Sequence, residues 1–162
     1  MKQYIGAKII QAELANRYEF EDGTAFTKMV SEEWTKAEAA KLKQPHNVRG
    51  GYAVFYPDGY VSWSPKDVFE EAYRETDGMS FGLAIEAAKK GHKIARAGWN
   101  GKNQYVELAY GISYMNNNGE AVNVNHEAIG NKALAFVGTS GVQMGWLAAL
   151  AVMLADDWKI VE

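Results

Sequence analysis

The chain has 162 residues, 48% of them hydrophobic and 23% charged, with 3 prolines. This is a globular composition, long enough for one ordinary domain or two small ones, and it excludes a disordered chain. The absence of cysteine excludes a disulfide framework, a zinc–thiolate site and a thiol nucleophile. The opening MKQYIGAKII lacks the apolar run and small-residue cleavage site of a signal peptide, so a cytoplasmic protein is expected. Net charge is −3 and the pI about 5.7, which disfavours a surface built to hold nucleic acid. Residues 79–162 carry seven Lys and Arg against seven Asp and Glu. An anionic ligand there must be held by a few placed donors, not by bulk attraction.

Tyr4–Gln11 alternates loosely and predicts a strand. Ser31 is placed to cap a helix, with Glu32 and Glu33 at the positive end of its dipole. Trp34, Ala37 and Lys41 then share one face, and Gln44-Pro45 ends the helix. A hairpin follows, Tyr52–Tyr56 and Tyr60–Trp63 about the turn Pro57-Asp58-Gly59. Ser64-Pro65-Lys66-Asp67 predicts a helix start with Ser64 as N-cap, and Val68, Phe69, Ala72 and Tyr73 form its apolar face. The polar turn Glu75-Thr76-Asp77-Gly78 separates this module, residues 1–76, from a second over residues 79–162.

In the second module Ser80 is expected to cap a helix with Phe81, Ala84, Ile85 and Ala88 at helical spacing, closed by Lys89-Lys90-Gly91. Strands are expected at His92–Ala97 and Gln104–Tyr110, with the turn Gly98-Trp99-Asn100-Gly101 between them. Asn118-Gly119 marks a hairpin within Ile112–Val124. Ala133–Val137 and Val142–Met144 flank a further turn at Thr139-Ser140-Gly141, and Trp158–Val161 is the last strand. The fold class is therefore α+β: two small modules, each an antiparallel sheet with one or two short helices.

Trp146–Ala155 is a run of ten apolar residues. It is half the roughly 20 needed to span a bilayer. A helix apolar on every side is expected to be buried on every side, against another subunit or under the module's own sheet.

His46, His92 and His126 are scattered, without partners at metal-ligand spacing, and no metalloprotease, serine-hydrolase or phosphate-loop motif occurs. No catalytic residue and no cofactor is assigned. Asp156-Asp157 is a paired carboxylate beside Trp158, a pattern that more often marks a solvated helix end. The stronger signal is Ala95-Arg96-Ala97-Gly98-Trp99-Asn100-Gly101-Lys102. Its glycines permit a tight turn with open amides, Trp99 offers a ring for stacking, and Arg96 and Lys102 can answer phosphates. Asn100 can both donate and accept. The competing reading is a capped turn with a core tryptophan. Of the other tryptophans, Trp34 and Trp63 are assigned to the first core and Trp158 to the second; Trp146 stands at the mouth of the apolar run.

Met79–Gly91, the ARAGWNGK stretch, Trp146-Leu-Ala and the closing MLADDWKIV together resemble the Thoeris anti-defence type-two family of phages and prophages. The resemblance implies a sponge. Such a protein binds the cyclic ADP-ribose-type signal of the Thoeris system, and in some members cyclic oligonucleotides, without cleaving it. It further implies a homotetramer with pockets at subunit interfaces in the infected host cytoplasm. By motif position Trp99 and Asn100 would line the pocket, with Trp146, Asp156 and Asp157 as weaker candidates. Arg96 and Lys102 are added on chemical grounds. The family's polar start to the final helix is replaced here by Ala149, Leu150 and Val152, which removes a helix cap. Through GYAVFYPDGYVSWSPKDVFEEAYR, residues 51–74, the first module resembles a phage-encoded module of no assigned activity. Two alternatives stand beside the sponge: a hydrolase of the signal using Asp156 or Asp157, and a phage structural or DNA-associated protein.

Overall fold

The computed structural model describes residues 1–3, 5–42, 44–99, 103–127 and 131–162. The chain divides into two compact units, Met1–Arg74 and Glu75–Glu162. Among the described residues, antiparallel sheets and four short helices make the fold α+β, as the sequence predicts.

The first unit is a four-stranded antiparallel sheet in the order β2-β1-β3-β4. Its strands are β1 (Gln11–Glu19), β2 (Ala25–Met29), β3 (Asn47–Phe55) and β4 (Val61–Pro65). The strand expected at Tyr4–Gln11 is not there. Tyr4 lies outside the described residues, residues 5–10 are not in a strand, and β1 begins at Gln11. The reason is register: all nine residues of β1 pair with β3, from Gln11 opposite Phe55 to Glu19 opposite Asn47. The alternation of β1 is disguised because Glu13, Arg17 and Glu19 occupy a face that is itself partly covered. Trp63 lies on that face against Gly51, where a Cβ would stand 2.9 Å from the indole and 2.1 Å from the Ser64 carbonyl oxygen. The guanidinium carbons of Arg17 and Arg49 lie 5.8 and 5.1 Å from its ring centre, and both arginines pair with Glu19.

Both helix starts in this unit differ from expectation. Helix α1 (Lys36–Lys41) is capped by Thr35, not Ser31. Thr35 and Glu38 exchange hydrogen bonds as a capping box, a reciprocity that Ser31 lacks. The Ser31 hydroxyl donates instead to Glu13. Trp34 therefore precedes the helix and sits edgewise on Tyr18 and Phe26, exposed on one side, with the buried Lys28 ammonium 5.4 Å from its ring. At helix α2 (Lys66–Ala72) both Ser64 and Pro65 still belong to β4, and Pro65 is the N-cap. Phe69 of α2 stacks on Tyr52 and Tyr73 at 4.1 and 4.8 Å, so of the expected apolar face Phe69 and Tyr73 are packed while Val68 and Ala72 are exposed.

The second unit is a five-stranded antiparallel sheet in the order β10-β9-β6-β5-β11. It comprises β5 (Lys93–Arg96), β6 (Tyr105–Tyr110), β9 (Lys132–Gly138), β10 (Gly141–Met144) and β11 (Trp158–Val161). A separate ribbon pairs β7 (Tyr114–Met115) with β8 (Ala121–Val122) around Gly119, whose φ of 80° supports the expected Asn-Gly turn. Helix α3 (Phe81–Lys89) buries Ala84, Ala87 and Ala88 on one face, and Gly91 with φ 92° follows its end. The small residues let the helix approach Ile94 of β5, Val106 of β6 and Trp158 of β11, which with Met79 complete the core. Trp158 is fully buried. The seam residues belong to this unit: the Thr76 carbonyl accepts from the Ile160 N–H at 2.8 Å.

The apolar run departs from the second of its two expectations, burial as a helix under the module's own sheet. Only Leu150–Met153 is helical (α4), its N-cap Ala149 makes no side-chain hydrogen bond, and Leu147, Leu150 and Leu154 are 88%, 71% and 74% exposed. The segment is not a core helix under the sheet. A ten-residue helix needs a start as well as apolar surface, and Ala149 supplies no side-chain acceptor for it. Among the described residues no helix is long and apolar enough to cross a membrane.

Candidate functional site

The sequence candidates do not all come together. Arg96 ends β5, opposite Trp158 in register. Its Nε donates to the carboxylate of Asp157, the residue before β11. Ala97 donates its N–H to the Asp157 carbonyl at 3.0 Å, and Trp99 donates to the Arg96 carbonyl at 3.3 Å, closing the turn. Asn100 and Lys102 lie outside the described residues. Asp156 is exposed, whereas Asp157 and Arg96 are both partly enclosed.

Trp99 is half-buried and built into an aromatic cluster. Its ring meets Trp158 at 5.5 Å, Phe136 at 5.3 Å and Trp146 at 6.2 Å, edge to face in every case. Such geometry suits the ring quadrupoles and fixes the plane of the indole. Trp146 is half-buried and held in place through its backbone N–H, which donates to the Leu134 carbonyl of β9 at 2.9 Å. The indole N–H of Trp158 donates to the Val152 carbonyl in α4 at 3.1 Å. The buried Trp158 thus links the last short helix to the ring of Trp99.

Phe136 is the member that sequence reading missed. It stacks on Trp146 at 6.3 Å with an interplanar angle of 26°. The signal was present: alternation in β9 puts Leu134 and Phe136 on the helix-covered face, and Gly138 continues that row without a side chain. A Cβ at Gly138 would lie 2.9 Å from the Phe136 ring, so the glycine leaves room for the ring to lie along the strand.

The electrostatics centre on Asp157. The Arg96 guanidinium hydrogen bond holds its carboxyl below the ordinary aspartate range, against an opposing effect of burial. Arg96's positive charge and the backbone N–H groups of Asp157 and Gly98 add to the lowering. A carboxylate so committed to a cation and to backbone amides is a poor proton donor at neutral pH. Among the described residues no group of three or more His, Asp or Glu side chains is arranged to hold a metal ion.

The fold and site thus define a small α+β unit whose glycine-flanked tryptophan turn is fastened to its last strand. Residues 79–161 match the Thoeris anti-defense 2-like domain, and the chain belongs to that family. The same region is similar to Thoeris anti-defense 2 of Bacillus phage SP01, 34% identical over 87 residues, which is 52% of this chain and 96% of the relative.

Proposed function

We propose that residues 79–162 bind a cyclic ADP-ribose-type immune signal and sequester it intact, blocking Thoeris defence on behalf of a phage. The observation that carries this reading is the family match over residues 79–161, the stretch that contains Trp99. The chemistry is compatible. Trp99 and Trp146 are half-buried, so each keeps ring surface for a purine while its plane is set from behind. Base stacking of this kind is worth about 1–3 kcal/mol per base. Asn100 and Lys102 are the donors assigned to ribose and phosphates; Arg96, the third donor the sequence offers, is engaged by Asp157. Asp157, fastened to Arg96, is poorly suited to act as the acid of a hydrolase, which favours capture over cleavage.

The protein acts as a homo-oligomer, a tetramer by analogy with the family, in the cytoplasm of the infected host. The exposed side chains of Leu147, Leu150 and Leu154 support this, because apolar residues adjoining in sequence are seldom left together in water. Some cyclic oligonucleotides are candidate second ligands.

The test is to saturate the protein with cyclic ADP-ribose isomers, remove free ligand, heat-denature the complex and analyse what is released. Intact nucleotide is expected. Release of a hydrolysed product would overturn the sponge and promote the hydrolase. Light scattering that reports a monomer at micromolar concentration would remove the assembly from the reading.

A further inference from the structure

We propose that Arg96 and Asp157 are positioning residues, a clamp that sets the Trp99 ring and leaves nucleotide contact to others. This rests on the reading that Trp99 faces the ligand. Two successive residues of the turn are fastened to one residue. Arg96 donates through Nε to the Asp157 carboxylate and Ala97 donates to the Asp157 carbonyl at 3.0 Å. Gly98 lies close to that carboxylate: a Cβ there would be 3.9 Å from the Asp157 Oδ2. The next residue along the chain is Trp99, and the next residue after Asp157 is Trp158, whose ring meets that of Trp99 at 5.5 Å. Backbone and ring of the turn are therefore both referenced to the start of β11. A stacking face gains affinity only insofar as it is held in place before the ligand arrives.

Simple electrostatics and the clamp make opposite predictions. If Asp157 merely stood near an anionic pyrophosphate, Asp157→Asn would remove a repulsive charge and tighten binding. If Asp157 holds the turn, the same change weakens binding although the site becomes more positive. The experiment measures two quantities on the full-length protein: amide exchange at Gly98 and Trp99 without nucleotide, and the affinity for cyclic ADP-ribose by calorimetry. Asp157→Asn is expected to speed Gly98 exchange at least tenfold and weaken affinity at least tenfold. The double exchange Arg96→Asp with Asp157→Arg is expected to restore part of both, because the pair is rebuilt with its ends reversed. Unchanged exchange, or tighter binding in Asp157→Asn, overturns the clamp. Recovery of exchange without recovery of affinity also overturns it, since Arg96 would then act on the ligand itself. Arg96→Lys keeps the charge and removes the Nε donor, and decides the question by the same two readouts if Asp157→Asn fails to fold. A wild-type protein that binds no cyclic nucleotide defeats the proposed function, while the exchange measurement still decides the clamp.

Discussion

In residues 1–74 the aromatic side chains spread over both faces of one sheet, whereas in residues 75–162 Phe81, Trp99 and Trp146 all meet a single buried Trp158. The first unit finishes its aromatic surfaces with cations: Arg17 and Arg49 over Trp63, and Lys28 over Trp34. The second finishes part of its cluster with a turn, Gly98–Trp99, fastened by an ion pair to the last strand. A sheet whose stabilising contacts are dispersed tolerates the loss of any one. A unit organised round one side chain does not, but it can place a ring beside that side chain with its plane defined.

The sharpest way to break this contrast is truncation at the centre of the second unit. Trp158→Ala removes a fully buried indole and is expected to cost about 3–5 kcal/mol. Trp34→Ala, in the first unit, removes a ring already open on one side and should cost well under half of that. Denaturant unfolding, with hydrogen exchange read separately over the two units, compares them. Equal losses would show that the second unit is not organised round Trp158.

The first unit has its own sensitive point, and it is a backbone. Gly51→Ala would drive a Cβ to 2.1 Å from the Ser64 carbonyl oxygen and 2.9 Å from the Trp63 ring, so β4 must shift. A cost of about 1–3 kcal/mol is expected, as for other overpacked sites. Exchange protection should fall in β3 and β4 and stay unchanged in β11. Protection that holds in β3 and β4 would show that the close approach of the two strands relaxes freely.

A smaller change works in the stabilising direction. Ala149 caps α4 without a side-chain acceptor, and Ala149→Ser restores one. A gain of about 1 kcal/mol is expected, seen as a rise in melting temperature with added exchange protection at Val152 and Met153. The same substitution leaves Leu150 and Leu154 in place, so a concurrent change in oligomeric state would tie assembly to the order of α4.

How much of this was legible in sequence depended on whether the deciding interaction was local. The Asn118-Gly119 hairpin, the Pro57-Asp58-Gly59 turn, the Gly91 stop and the end strand Trp158–Val161 all announce themselves within a few residues. The starts of α1 and α2 were misplaced because Ser31 and Ser64 satisfy the same local rule as a true cap. Tertiary partners took both serines elsewhere: Ser31 to Glu13, and Ser64 into the ladder with Tyr52. The helix expected along Trp146–Ala155 failed for a related reason, since hydrophobicity specifies burial and says little about where a helix begins. At the site, Trp99 and Arg96 were legible as residue types in a turn. Their relation to Asp157, 61 positions from Arg96, is a property of strand order. No local pattern carries it.

The smallest expected effect is on the response to acid, and it separates Glu19 and Glu38 of the first unit from the Arg96–Asp157 pair of the second. Asp157 is held below the ordinary aspartate value chiefly by the Arg96 hydrogen bond. Glu19 is lowered first by Arg49, and Glu38 first by the backbone N–H of Thr35. A carboxyl lowered on folding binds its proton less tightly in the native state than in the unfolded one, so unfolding takes up protons on acidification. Its contribution is complete above the unfolded pKa and disappears as pH falls through the native value. The unfolded reference is about 4.3 for glutamate and about 3.9 for aspartate. Stability of both units should therefore be flat, as far as these groups decide it, from neutrality down to about pH 5. Below that the first unit, resting on Glu19 and Glu38, should begin to lose protection before the Arg96–Asp157 clamp does. These pairs are partly open to solvent, so the slopes will be shallow and will diminish with added salt. Amide exchange at Gly98 against pH, set beside that of Thr35, measures the order directly. Loss at Gly98 ahead of Thr35 would mean that the clamp draws little of its strength from the Asp157 charge.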